Sequence, residues 1–141
     1  MINLYEINGM KSYILVFAFL IVASMAPEPV PPQDAVLTSI IECLQQGDAR
    51  KLSAYFTKTI DIGLPDKDNT YSVTQGELVM KEFFKKFPPT SFISDQQDAP
   101  SESSYYALGT YTSGKSKFKT LIYLKKEGNS WKLHKLKFEA K

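Results

Sequence analysis

From Ser104 to Lys141 apolar and polar residues alternate in three successive runs, YYALGTYT, KFKTLIYLKK and SWKLHKLKFEA. A period of two marks a half-buried strand. The breaks between them, Ser113–Ser116 (SGKS) and Glu127–Ser130 (EGNS), each hold a glycine in a short polar connection. The three runs therefore predict consecutive antiparallel hairpins. Such a sheet needs a cover for its apolar face, and the preceding chain supplies one. Gln33–Gln46 places Val36, Leu37, Ile40, Ile41 and Leu44 on one stripe of a helix, with Asp34 as its cap and Gly47 just past its end. Asp48 opens a second, short helix, DARKLSAYF, with Leu52, Tyr55 and Phe56 on its inner face. Thr59–Leu64 alternates as a strand, Pro65–Thr70 reads as a polar turn, and Tyr71–Val73 as a short return. Thr74 and Glu77 have capping-box spacing and start a third helix. Its predicted buried stripe is Leu78, Val79, Phe83 and Phe87, flanked by Met80 and Phe84, and Pro88-Pro89 stops it. Thr90–Asp95 is a further strand candidate, and Gln96–Ser103 a connection into the sheet.

The first residues follow another pattern. Tyr13–Ala23 is an unbroken apolar run that follows Lys11 and leads into Ser24-Met25-Ala26. A positive residue, a short apolar core and small residues after it have the form of a secretory signal peptide. The run is short for a membrane span, which takes about 20 residues. Residues 1–26 are read as that signal, with Met10 as the initiator and cleavage after Ser24 or Ala26. Residues 27–32 are a proline-rich linker. Residues 33–141 are a single domain. The expected location is outside the cytoplasm, in the periplasm or cell envelope, with membrane contact only during export. Cys43 is the only cysteine, so no internal disulfide forms, and its place on an apolar helix position predicts a buried thiol.

Charge adds a polarity to the domain. Lys115–Lys141 carries nine lysines against Glu127 and Glu139, whereas Pro27–Gly114 carries seven basic residues against twelve acidic ones. Lysines alternating with core residues on a sheet face water and guard an edge. The basic end also permits a sharper reading, a reader of an anionic envelope component. It holds no arginine, so bidentate recognition of phosphate or bases is not supported, and nucleic acid is not expected as a partner.

The order of elements, the helix–Gly-Asp–helix entry ending in Leu52, Tyr55 and Phe56, and the terminal sheet closing on Trp131-Lys132-Leu133 resemble the nuclear-transport-factor-2-like superfamily. The chain is also similar to a family of small exported bacterial proteins with that fold and no assigned function. The resemblance implies an α+β cone, a curved antiparallel sheet packed on three helices from the N-terminal half around an inner cavity. It also implies pairing of two copies through the sheet. The superfamily holds isomerases, dehydratases and hydrolases beside binding domains, so the fold decides no activity.

The residues themselves offer little chemistry. No phosphate-binding or nucleophile-elbow motif is present. One histidine, one cysteine and no carboxylate cluster leave no basis for a metal site, and no cofactor is expected. An acid–base site would draw on His134 or Asp61 as base and a tyrosine as donor. Strand alternation places Asp61 opposite Ile60, Ile62 and Leu64, and places His134 with Leu136 and Phe138 on a face that could look into the cone. Tyr55, Phe56, Phe83, Phe87, Tyr111, Tyr123, His134 and Leu136 are the expected lining of a mostly apolar cavity with a few hydroxyls. The expected function is a non-catalytic binding or accessory domain that takes a small apolar ligand or a protein partner. A small cavity enzyme of the isomerase or dehydratase type is the alternative.

Overall fold

The computed structural model describes residues 33–141, so the signal peptide, the Met10 start and the proline-rich linker lie outside the described residues. The chain runs α1 (Gln33–Gln46), α2 (Ala49–Ser53), β1 (Phe56–Leu64), β2 (Lys67–Ser72), α3 (Val73–Lys86), β3 (Ser91–Ser101), β4 (Ser104–Ser113), β5 (Ser116–Glu127) and β6 (Ser130–Ala140). The strands form one six-stranded sheet in the order β2-β1-β6-β5-β4-β3. All neighbours are antiparallel except β1 and β6, which run parallel. The three helices of the N-terminal half cover one face, as an α+β cone requires.

The three terminal hairpin strands form where the alternation puts them. Gly114 and Gly128 take positive φ, 56° and 58°, at the tips of the β4–β5 and β5–β6 turns, a conformation side chains other than glycine avoid. Their inward residues, Tyr105, Ala107, Tyr111, Phe118, Ile122, Leu124, Leu133, Leu136 and Phe138, are buried with Ile60 and Ile62 of β1. Lys117, Lys119 and Lys125 stand on the opposite, convex face and are exposed.

Other elements differ from the sequence reading. The short helix stops at Ser53, and Phe56 already belongs to β1. Residues Lys67–Thr70, expected as a turn, pair in register with β1 after a two-residue turn at Pro65-Asp66. Backbone pairing outweighs their polar composition because an edge strand needs no apolar face. β3 continues to Ser101 instead of ending at Asp95. The third helix is capped by Ser72, not Thr74. The Ser72 hydroxyl accepts from Gln75 N at 3.3 Å, and the Gln75 side chain accepts from Ser72 N at 3.4 Å.

The buried stripe of α3 is also rotated from the expected one. Gly76, Met80, Phe83 and Phe84 face the core, Val79 and Phe87 are partly buried, and Leu78 is 57% exposed. Spacings of four, seven and eight residues from Gly76 describe one face of a helix. Gly76 fixes that face. A Cβ there would lie 2.7 Å from Ile60 Cγ2 and 3.0 Å from Phe56 Cε2, so its lack of a side chain lets α3 settle on β1.

Candidate functional site: a cleft at the mouth of the cone

The interior of the cone is filled. Phe83 reaches from α3 into the sheet, with ring centroids 4.4 Å from Phe138, 5.5 Å from Tyr111 and 5.6 Å from Phe118. Phe87 continues the cluster, 5.4 Å from Phe83 and 4.9 Å from Phe118. Tilted and edge-on contacts at these distances are the favoured geometries of aromatic pairs. The Tyr111 hydroxyl donates to the Phe87 carbonyl at 2.6 Å, which satisfies an acceptor at the end of the helix. Burial holds the Tyr111 phenol far above the usual tyrosine range, so at neutral pH it is an uncharged donor already in use.

Where α3 ends, it diverges from the β1–β2 hairpin and leaves a cleft of about 440 Å³. Leu64, Leu78, Val79, Phe83 and Phe87 give it an apolar lining. Leu78, Glu82 and Lys86 recur every four residues along α3 and form one wall. Pro65, Asp66 and Lys67 of the hairpin form the other. The ion pairs among the described residues are Lys51–Asp48 and Lys137–Glu139, so the four rim charges of the cleft pair neither with each other nor with a neighbour. Lys86 lays its ammonium 5.4 Å from the centre of the Phe87 ring. An apolar floor with a few charged groups at its rim is the usual make-up of a binding cleft, and the volume is within the range of small-ligand sites.

The residues expected to line one cavity are dispersed. Phe83 and Phe87 meet in the cleft floor, while Phe56, Tyr111 and Leu136 are consumed in the core. Tyr55 lies near Cys43 in a recess beside α1. Tyr123 and His134 are on the convex face, ring centroids 6.2 Å apart. The face predicted for His134 is corrected by a β-bulge. Tyr123 pairs with Lys135 and Leu124 with Leu133, which leaves His134 without a partner between them. One extra residue resets the alternation. Leu133 therefore joins Leu136 and Phe138 inside, and His134 turns outward to lie 3.4 Å from Thr57 Oγ1 through Nδ1. Asp61 points outward from β1 and accepts from Thr70 Oγ1 at 2.6 Å. No hydrogen bond joins Asp61 to His134.

Cys43 is buried, and burial, reinforced by the Asp48 charge, raises its thiol above the usual range, which leaves it protonated and unreactive. Burial, then its hydrogen bond to Asp34, raises the Tyr105 phenol. That hydroxyl donates to Asp34 Oδ1 at 2.9 Å and so ties the start of α1 to the sheet. Among the described residues no group of three or more His, Cys, Asp or Glu is placed to hold a metal ion, and no helix is long and apolar enough to cross a membrane. Sequence reasoning missed Leu64, Leu78 and the Pro65–Lys67 turn as parts of one site. The available signal was Gly76, which sets the rotation of α3.

Solved structures share this architecture. A DUF4783 family protein from Bacteroides uniformis is 18% identical, with a TM-score of 0.70 over 74% of this chain and 95% of that one. A DUF4783 family protein from Bacteroides ovatus is 19% identical, with a TM-score of 0.70 over 81% and 98%. A protein of unknown function from Shewanella baltica, described as nuclear-transport-factor-2-like, is 16% identical, with a TM-score of 0.57 over 76% and 89%. Comparison with curated proteins finds no match. Residues 37–139, nearly the whole described domain, match the family described as a domain of unknown function, DUF4783. The chain belongs to the DUF4783 family, and its fold is the nuclear-transport-factor-2-like cone.

Proposed function

We propose that this protein is an exported, non-catalytic binding or accessory domain of the cell envelope, and that it binds in the cleft at the mouth of its cone. The observation that carries this reading is the cleft itself: Leu78 is 57% exposed beside Leu64, Val79, Phe83 and Phe87 in a recess of about 440 Å³. Soluble domains keep large apolar residues exposed in a concave site chiefly where something docks on them. The packed aromatic interior and the outward placement of His134 and Asp61 favour binding over acid–base catalysis, because neither candidate base faces a cavity. Export rests on the apolar run Tyr13–Ala23 after Lys11.

Two experiments test the two halves of the reading. Cell fractionation of the tagged protein is expected to place a shortened, processed chain outside the cytoplasm, and a full-length cytoplasmic chain would overturn export. Nuclear magnetic resonance of the labelled protein against small apolar fragments is expected to move amide signals of Leu64, Leu78 and Val79 together. Leu78→Asp is expected to remove that response at unchanged stability. Shifts confined to another part of the surface would overturn the cleft as the site.

A further inference from the structure

The two edges of the sheet are built differently. β3 carries two register breaks, between Ser94 and Gln96 and between Asp98 and Ser101, and a proline at Pro100. Gln45 of α1 also donates to the Phe92 carbonyl at 3.3 Å. Bulges, a proline and a covering helix are devices that stop further strands from adding. β2 has neither a bulge nor a proline. Its six residues pair with β1 without a break, contain no proline or glycine, and are exposed except for the partly buried Tyr71. Among the described residues no strand lies on its outer side. The Pro65-Asp66 turn closes on the Leu64–Lys67 pair, so Lys67, Asn69 and Tyr71 turn their backbone groups to β1, and Asp68 and Thr70 turn theirs outward. The cleft begins at the same hairpin, with Lys67 in its wall.

We infer that the occupant of the cleft is an extended polypeptide segment that adds to β2 as a seventh strand and sets an apolar side chain against Leu78. The inference rests on the cleft being the binding site. Strand addition draws its affinity from backbone hydrogen bonds, and its specificity from pockets that read alternate side chains. Here Asp68 and Thr70 supply the backbone groups, and the cleft reads the side chains on the concave side. Lys67 and Asp68 set the charge preference. The partner carries an acid across from Lys67 and a base across from Asp68, because like charges directly opposite on adjacent strands are destabilising. An unbroken edge with two opposite charges thus admits a matched segment and discourages indiscriminate pairing.

The test selects short random peptides displayed against the purified protein, then measures the enriched peptides on two variants. Asp68→Pro removes an outward N–H and no bond to β1, a placement proline tolerates on an edge strand, and it is measured relative to Asp68→Ala, which removes the charge alone. Leu78→Asp places a charge in the cleft. The expected result is a set of peptides with apolar residues at every second position, each losing about tenfold or more in affinity on both variants. Loss on Leu78→Asp alone would overturn strand addition and leave the cleft standing. Undiminished binding to both variants, or no enrichment, would overturn both. If Asp68→Pro lowers the melting temperature, amide exchange at Asp68 and Thr70 in the unaltered protein gives the same answer. An added strand slows it, and a peptide that binds without slowing it sinks the inference.

Discussion

Tyr111 shows how a single residue can be spent on structure while keeping the chemistry of a site. Its hydroxyl is buried, and its one donated bond holds the Phe87 carbonyl at the end of α3. Tyr111→Phe keeps the ring and strands that acceptor. The expected loss is about 1–2 kcal/mol, read from urea denaturation. The pH dependence has a definite sign. The folded phenol titrates well above its ordinary value of about 10. Above that pH the unfolded chain gives up the proton while the native one keeps it, so the unfolded state binds fewer protons and stability falls as pH rises. Below about 10 the contribution is fully present. Tyr105 and Cys43 are raised as well and act in the same direction. Thermal melts taken from pH 8 to 11 are therefore expected to fall more steeply for the wild type than for Tyr111→Phe. Parallel curves would show that Tyr111 ionises no differently in the two states.

At the scale of elements, α3 carries two further predictions. Gly76 sits inside a helix, where alanine is ordinarily better by about 1 kcal/mol. Contact with β1 reverses the preference, since a methyl group would meet Ile60 at 2.7 Å. Gly76→Ala is expected to destabilise by about 1–3 kcal/mol despite its helix propensity. A stabilised variant would show that α3 can move off the strand at no cost. Ser72→Ala removes the capping box and is expected to cost about 1 kcal/mol. The same helix shows what the sequence makes legible. The β4–β5–β6 hairpins declare themselves because alternation and turn glycines agree. The face of α3 does not, because Leu78, Val79 and Phe84 are equally apolar and only packing of Gly76 on Ile60 chooses among them. His134 was misplaced for a related reason: a bulge is one unpaired residue, and nothing in SWKLHKLKFEA marks which one. Tyr71 and Ser72 read as a returning strand, but the rest of β2, Lys67–Thr70, is hidden because a polar edge strand has the composition of a turn. The cleft depends on both the rotation of α3 and the existence of β2, so it was less legible than the fold.

For the whole molecule, the packed rings make the inside of the cone a core. Fold alone leaves that point open, since one architecture serves both ends. Phe83 carries the assignment. Its ring touches Phe84, Phe87, Tyr111, Phe118 and Phe138, and also forms part of the cleft floor. If these rings are a core, Phe83→Ala removes the centre of the cluster and is expected to cost about 3–5 kcal/mol, a large part of the stability of a domain this size. If the rings merely border a solvent-filled chamber, the same change deepens an existing void and costs about 1 kcal/mol or less. Leu78→Ala provides the internal standard. Leu78 is 57% exposed, so its truncation is expected to stay within about 0.5 kcal/mol while weakening whatever binds the cleft. Urea denaturation of the two variants, with slopes matching the wild type, separates the cases. A large loss for Phe83→Ala beside a negligible one for Leu78→Ala assigns stability to the interior and recognition to its rim.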